Sequence, residues 1–328
     1  MKVLGMGNAL VDVLAIIEND DLLENMNLPK GSMQLVDREK FEKISEEVSK
    51  LNAEIVSGGS ASNTIVGLSR LGVKTGFVGR IGKDHFGKYY KSDLIAHKVT
   101  PLLSEVDEIS GVASTFISKD GERTFGTYLG AAALLNADDF NERDFVGYDY
   151  FYIEGYLVQN YELIREALSL AKKAGLKIIL DFASYNVVED NKEFLLEVIS
   201  QYVDIVFANE EEAKALLGVE PEDALSLLAK DLDVAIVKNG SKGSWVQRGE
   251  EKIFVPALTV DCVDTTGAGD LYASGFIYGL TKDFPLVTCA RIGTLLAANV
   301  VQVIGAKIPE DKWQKVTPQM SQIILETC

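Results

Sequence analysis

Short apolar runs, each too brief for a helix and apolar on both faces, recur along most of this chain. EIVS (54–57), TGFVGRI (75–81), YFYIEG (150–155), KIILDF (177–182), DIVFAN (204–209) and VAIVKN (234–239) are separated by segments of helical period. In one such segment Ala61, Ile65, Leu68 and Leu71 keep one face. In another, ELIREALSLAKKAG runs to Gly175, where a helix should stop. Strands without a polar face must be covered on both sides, and strands joined by helices lie parallel. The pattern predicts an α/β fold of three layers, with a mostly parallel central sheet between helices. The 328 residues contain no low-complexity segment, clear repeat or flexible linker, so the chain reads as one domain, 1–328.

One section breaks the rhythm. GVASTFISKDGERTFGTYLG (111–130) predicts an antiparallel hairpin with Asp120-Gly121 as a two-residue turn. Pairing outward from that turn sets Phe116 opposite Phe125, with Ser114, Ser118, Arg123, Thr127 and Leu129 on the same face. The stretches 10–17 and 31–37 are further strand candidates, so a small β lid built from 10–17, 31–37 and 111–130 is expected beside the core.

The net charge of −17 argues against a non-specific nucleic-acid surface or attachment to anionic lipid. It still allows a small polyanion held by local N–H groups and a few cations. Cys262, Cys289 and Cys328 are scattered and lack metal spacing, which predicts reduced thiols, and with two histidines no structural zinc site is expected. Asn8 and Asp12 interrupt the apolar N-terminal run, so it does not read as a signal peptide. No run of about 18 apolar residues is present to span a membrane. A cytoplasmic protein is expected.

DTTGAGD (264–270) places two threonines and a two-glycine turn before an aspartate at the start of a helix that is apolar nearly all round. Helix starts carry unpartnered N–H groups and partial positive charge, so this turn can cradle a phosphate. Asp270 reads equally as a helix cap. In SGGSASNTIVGLSRLG (57–72) the glycines Gly58 and Gly59 end a strand and Asn63 enters the next helix, as a loop with a cap or as a hydroxyl-binding turn. Asp12 has little structural reason to lie in an apolar strand. Two other glycine patterns fail: VLGMGNALVD has Leu10 where a dinucleotide fingerprint needs glycine, and GKDHFGKY has Tyr89 where a P-loop needs Ser or Thr.

GNALVD, GGSASN, DGER, NEEE and DTTGAGD follow one another in that order. Together they resemble the ribokinase-like, or PfkB, family of carbohydrate and nucleoside kinases over essentially the whole chain. The resemblance implies a ribokinase-like core with a β lid and transfer of the ATP γ-phosphoryl group to a primary hydroxyl. Asp270 would be the base, and the backbone of Gly267, Ala268 and Gly269 would stabilise the transferring group. Asn8, Asp12, Gly58, Gly59 and Asn63 would hold acceptor hydroxyls, and Arg123 either reaches the γ-phosphate or sits in solvent. Asn209 and Glu212 of NEEE match the family pattern near the Mg²⁺–phosphate waters, with no direct protein ligand to the metal expected. Their other reading is a cap and a solvated acid. Gly240 and Gly243 would pass along ATP, and Lys238 stands where Thr or Ser is more usual. Asn299 and Gly305 lie where adenine and an optional monovalent cation such as K⁺ are bound.

GSMQLVD and DGERTFGTYLGAAA look most like adenosine kinases. By that likeness Gln34, Val36, Phe125 and Leu129 line a base pocket, with Tyr156 as a further wall. The alternative acceptor is a sugar such as ribose or fructose. The Phe116/Phe125 pair could instead be cross-strand packing or a lid–lid dimer contact, so a monomer or a lid-mediated homodimer is expected. A non-catalytic sensor on this fold would lose Asp270, and a nicotinamide dehydrogenase would need the glycine that Leu10 replaces.

Overall fold

The computed structural model describes residues 1–327; Cys328 lies outside the described residues. Among these residues fourteen strands follow the chain: β1 (Lys2–Met6), β2 (Leu10–Ile16), β3 (Met33–Leu35), β4 (Ala53–Gly58), β5 (Lys74–Gly82), β6 (Val99–Val106), β7 (Gly111–Ile117), β8 (Arg123–Tyr128), β9 (Tyr150–Glu154), β10 (Lys177–Asp181), β11 (Ile205–Asn209), β12 (Val234–Asn239), β13 (Gly243–Arg248) and β14 (Glu251–Pro256). They form a nine-stranded sheet in the order β14-β13-β12-β11-β10-β9-β1-β5-β6 and a five-stranded sheet in the order β3-β8-β7-β2-β4. From β12 to β6 the large sheet is parallel, while β13 and β14 close its other edge as antiparallel hairpins.

The large sheet is apolar on both faces for the reason its runs predict. Val3, Ile179, Phe207 and Ile236 point to one side, against Ala273, Phe276 and Ile277 of the Ala268–Thr281 helix. Their chain neighbours Leu4, Ile178, Val206 and Val237 point to the other, against Ile164 and Leu168 of the Tyr161–Lys173 helix. Alternation with both sides buried is what makes a parallel sheet into the middle of three layers.

The small sheet has unlike faces. Val11, Val13, Ala15 and Phe116 join Phe41 and Ile44 of the Arg38–Val48 helix in the core, and Phe41 stacks on Tyr128 at 4.9 Å. Phe116 therefore packs within the lid, and helix Arg38–Val48 covers that side. The opposite face carries Asp12, Thr115, Arg123, Phe125 and Thr127.

Two expectations are corrected. EIVS is not a core strand: it is β4, antiparallel to β2 at the edge of the small sheet, with Glu54 and Ile55 exposed and burial only toward its end at Ser57 and Gly58. The hairpin turns through three residues, since Ser118 N–H donates to Glu122 O and Gly121 adopts φ +86°. That odd loop shifts the register by one, pairing Thr115 with Phe125 and Phe116 with Thr124. A one-residue slip reverses a face. Phe116 and Phe125 thus lie on opposite sides of the sheet, while Arg123, Phe125 and Thr127 stay together.

Candidate active site

Asp270 lies in the first turn of the Ala268–Thr281 helix, behind a loop that only glycine permits. Gly267 takes φ +76° as the helix N-cap, and a Cβ there would stand 2.7 Å from Ala306 Cα. Asp270 does not cap its own helix. Its Oδ1 accepts from Ser60 Oγ at 2.7 Å and its Oδ2 from Asn63 Nδ2 at 2.9 Å, both on the Ser60–Arg70 helix. The GGSASN and DTTGAGD segments, 207 residues apart, therefore meet at one carboxylate. Burial pushes that carboxyl up to about 6, against the pull of Asn63, Ser60 and Lys238. A carboxylate poised there can take a proton near neutral pH.

Asp12 projects from β2 toward the same space. A Cβ on Gly58 would stand 2.3 Å from Asp12 Oδ2, so β4 can pass here only without a side chain. Burial raises the Asp12 carboxyl to about 7, with Lys307 and Arg123 opposing it. Lys307, which the motif reading missed, donates to Ser57 Oγ at 2.5 Å and to Asp93 Oδ2 at 2.9 Å. Gly59 is the N-cap of the Ser60–Arg70 helix, and Asn8 lies below it.

Glu154 was also missed. At the end of β9 it accepts Asn8 N–H at 2.8 Å and Asn8 Nδ2 at 2.7 Å on one oxygen, and Ala61 N–H at 2.8 Å on the other. It fixes Asn8 and the start of the Ser60–Arg70 helix together, and burial pushes its own carboxyl up to about 7. The signal was present: an acid inside the apolar run YFYIEG, the same oddity that singles out Asp12.

On the far side of Asp270 a cleft of about 550 Å³ opens, lined by Asn209, Lys238, Gly240, Gly243, Ala268 and Gly269. Lys238 Nζ donates to Asp181 at 3.4 Å. Burial works against its ammonium, but Asp181, Glu212 and Asp270 outweigh this and hold it above the ordinary lysine value. Asn209 and Glu212 form a reciprocal capping box at the Glu210–Leu217 helix, with bonds of 2.8–2.9 Å. Glu212 is buried behind Asn209, and burial raises its carboxyl. Asn299 does not line the cleft: its amide donates to Leu295 O in its own helix, where Thr294, Ala297, Ala298 and Val301 form the wall. Gly305 N–H instead donates to Asp264 at 2.7 Å.

The expected base pocket needs a correction of parity. Met33 pairs with Phe125 and Leu35 with Thr127, so these two share the site face of the small sheet. Gln34 and Val36 turn to the other face, where Val36 packs against the lid core. Met33 and Leu35 are 53% and 63% exposed, an apolar display that a short edge strand does not need for folding. Leu129 is half-buried at the end of β8, and Tyr156 donates its hydroxyl to Ala183 O at 3.3 Å. Arg123 does not sit in solvent: it crosses to the DTTGAGD loop and pairs with Asp264 at 2.9 Å.

Among the described residues no cluster of three or more His, Cys, Asp or Glu could hold a metal ion, and no helix is long and apolar enough to cross a membrane.

Residues 31–313 match the sequence pattern described as pfkB family carbohydrate kinase. The chain is 34% identical to the solved structure of adenosine kinase from Sinorhizobium meliloti, covering 97% of this chain and 98% of that one with a TM-score of 0.85. It is 29% identical over 301 residues to a nucleoside kinase of Methanocaldococcus jannaschii, covering 87% of this chain and 92% of that protein. A ribokinase of Haemophilus influenzae is 28% identical over 278 residues, covering 81% of this chain and 88% of its own length.

Proposed function

The chain belongs to the pfkB family of carbohydrate kinases, and we propose that it transfers the γ-phosphoryl group of ATP to the primary hydroxyl of a nucleoside, with adenosine the favoured acceptor. The observation that carries the choice of acceptor is the apolar wall of Met33, Leu35 and Phe125 on the sheet face that also bears Asp12 and Arg123. A sugar alone leaves such a wall wet; a base covers it.

In this reading Asp270 takes the hydroxyl proton as the oxygen attacks the γ-phosphorus. Ser60 and Asn63 hold its two oxygens in line. The N–H groups of Gly267 and Gly269 face the transferring group from a helix start, where partial positive charge is fixed in place, while that of Ala268 is already taken by Thr265 O at 3.1 Å. Asp12, Gly59 and Asn63 hold the acceptor's other hydroxyls, and Glu154 keeps Asn8 and the Ser60–Arg70 helix in register with them. ATP occupies the cleft along Gly240 and Gly243. Lys238, already among carboxylates, exchanges part of that company for phosphate oxygens.

Mg²⁺ fits as a passenger on the phosphates. Asn209 and Glu212 satisfy one another, so they would meet it through water rather than as direct ligands, and the ion supplies neutralisation of phosphate charge.

Coupled ADP release over a panel of nucleosides and sugars tests the reading. The expected result is a specificity constant for adenosine far above those for ribose and fructose. A value for either sugar equal to that for adenosine moves the assignment to a sugar kinase of the same family. ATP hydrolysis indifferent to every acceptor removes the kinase reading itself.

A further inference from the structure

The carboxyl ends of three neighbouring strands of the large sheet gather polar side chains. Asp181 ends β10, Asn209 ends β11, and Lys238 lies one residue before the end of β12. The side chains of Lys238 and Asp181 are 17% and 5% exposed, and the ammonium donates to both carboxylate oxygens, at 3.4 and 3.5 Å. A lysine stem is long enough to carry its charge out to water, yet this one turns inward. It turns toward the glycine loop of DTTGAGD: a Cβ on Gly269 would stand 3.2 Å from Lys238 Nζ. The ammonium thus abuts the start of the helix that carries Asp270, on the cleft wall shared with Gly240, Gly243 and Ala268.

Asp181 is itself held. Tyr152, fully buried in β9, donates its hydroxyl to Asp181 Oδ2 at 3.1 Å, and Thr64 Oγ1 stands 3.2 Å from both that hydroxyl and Asp270 O. Ala183 N–H donates to Asp181 Oδ1 at 3.4 Å from a left-handed backbone, φ +66°, that alanine rarely adopts. An ammonium carries three N–H donors, and among the described residues Asp181 alone accepts from this one. A donor is therefore left for the cleft. The charges around the ammonium are Asp181 from β10, Glu212 from the Glu210–Leu217 helix and Asp270 from the Ala268–Thr281 helix, while Glu210 lines the same cleft and Tyr152 and Tyr156 face the carboxyls. Burial opposes the ammonium, and the three carboxyls together outweigh it. The Asp270 carboxyl is raised first by burial, and Asp181 raises it further.

We propose that Asp181 is a positioning residue for phosphoryl transfer: anchored by Tyr152, it holds the Lys238 ammonium against Gly269 as a fixed cation for the transferring group. The proposal rests on the kinase reading above, which brings Lys238 to phosphate oxygens, and adds what aims it there. A cation set in place before the reaction needs no rearrangement as charge develops on the phosphoryl oxygens. The same carboxylate lies close enough to Asp270 to influence its ionisation. One buried acid thereby governs both the cation and the base.

The test compares Asp181→Asn, Lys238→Met and the double variant, each first checked for an intact thermal transition. Lys238→Met is expected to lower kcat by ~10²–10³-fold, the range for one lost transition-state donor, with ATP affinity kept within about threefold. Asp181→Asn should lower kcat at neutral pH by up to ~10²-fold, the cost of a small misplacement. Its pH profile should also change as no packing defect would change it. Without Asp181 burial prevails at Lys238, so an alkaline limb appears below the ordinary lysine value of 10.5, and the rise near pH 6 due to Asp270 moves to lower pH. The double variant should be no slower than Lys238→Met and should lack the alkaline limb. Tyr152→Phe keeps both charges, should lower kcat about fivefold, the worth of one hydrogen bond, and serves where Asp181→Asn does not fold. An Asp181→Asn profile without the alkaline limb, losses that multiply in the double variant, or wild-type kcat in Tyr152→Phe overturns the proposal. Lysine Cε NMR reads the pairing without turnover: the Lys238 signal should titrate above 10.5 in the wild type and below it in Asp181→Asn. Equal titration in the two also overturns the proposal, whereas a wild-type protein without acceptor-dependent ADP release overturns the kinase reading.

Discussion

The two sheets use the same residue types for opposite ends. In the nine-stranded sheet nearly every apolar side chain is buried, on both faces, and the reward is stability. In the five-stranded sheet one face is sealed by helix Arg38–Val48, while the other leaves Met33 and Leu35 uncovered beside a buried carboxyl and a buried arginine. A sheet that must hold a molecule cannot finish its own packing. Mutation should therefore separate the two regions: one should lose stability, the other selectivity.

The seam between them should give the largest effect. Asp270→Asn keeps the shape and both hydrogen-bonding neighbours but removes the base, and kcat should fall by ~10²–10⁴-fold with substrate affinities within a few-fold. Turnover within tenfold of wild type would falsify the assignment of the base. Next comes the large sheet. Phe207 is buried against Tyr272 and Phe276, so Phe207→Ala should cost about 3–5 kcal/mol in a urea melt. The same truncation at Met33, which is 53% exposed, should leave the melt within about 0.5 kcal/mol. It should instead raise the KM for adenosine. Equal stability losses at the two positions would erase the contrast.

Asp12→Ala should raise the acceptor KM and spare ATP binding, since each charge-assisted hydrogen bond lost is worth roughly 1.5–3 kcal/mol. Collapse of ATP affinity would place Asp12 in the fold and not in the acceptor site. Phe125→Ala should lower the adenosine specificity constant by about tenfold, in line with an aromatic contact plus lost apolar burial, and should barely change activity on ribose. A parallel loss on both acceptors would make Phe125 a packing residue.

The smallest effect is on pH. Burial raises the carboxyls of Asp12 and Glu154 to about 7 and that of Asp270 to about 6, from ordinary values of 3.8, 4.5 and 3.8. In this range the folded protein binds more protons than the unfolded chain, so their contribution to stability is full below the ordinary values and is lost as pH rises through about 7. Turnover moves the other way, because a base must be ionised. Thermal midpoints should fall modestly between pH 5 and pH 8 while kcat rises across about pH 6. A midpoint that climbs along with kcat would show that these acids are stabilised as carboxylates.

Legibility in the sequence followed the same division. The parallel strands could be read because burial on both faces leaves a continuous apolar run, and no register error can hide it. The small sheet depends on parity, and parity turns on single residues. One extra residue in the 119–121 loop moved Phe116 to the other face, and the alternation in β3 exchanged Gln34 and Val36 for Met33 and Leu35. EIVS reads as core because four residues do not show that they pair at a sheet edge, where Glu54 and Ile55 stay exposed. DTTGAGD and GGSASN were visible because each is local, a turn followed by a helix start. Their meeting at Asp270 was implied by the family resemblance, and local pattern alone does not give it. Lys307 and the pairing of Asp264 with Arg123 carry no local mark: a lysine after a loop and an aspartate before a turn are ordinary until the fold brings their partners in.

The distance between those partners also governs when the protein can work during its own assembly. Ser60 meets Asp270 across 210 residues, and β2 pairs in parallel with β7 about a hundred residues later. Closing loops of that length is slow, and their entropy must be met before any contact across them repays it. A ribosome-bound chain lacking residues beyond 260 already contains every strand of both sheets but has neither Asp270, the base of the proposed reading, nor Asp264 to pair with Arg123. Such an intermediate would display the apolar strip of Met33 and Leu35 with no acceptor site to occupy it, and it is the species most exposed to aggregation. The helix that carries Asp270 and the two helices after it, Leu286–Val300 and Glu310–Thr327, are the last parts of the fold to arrive.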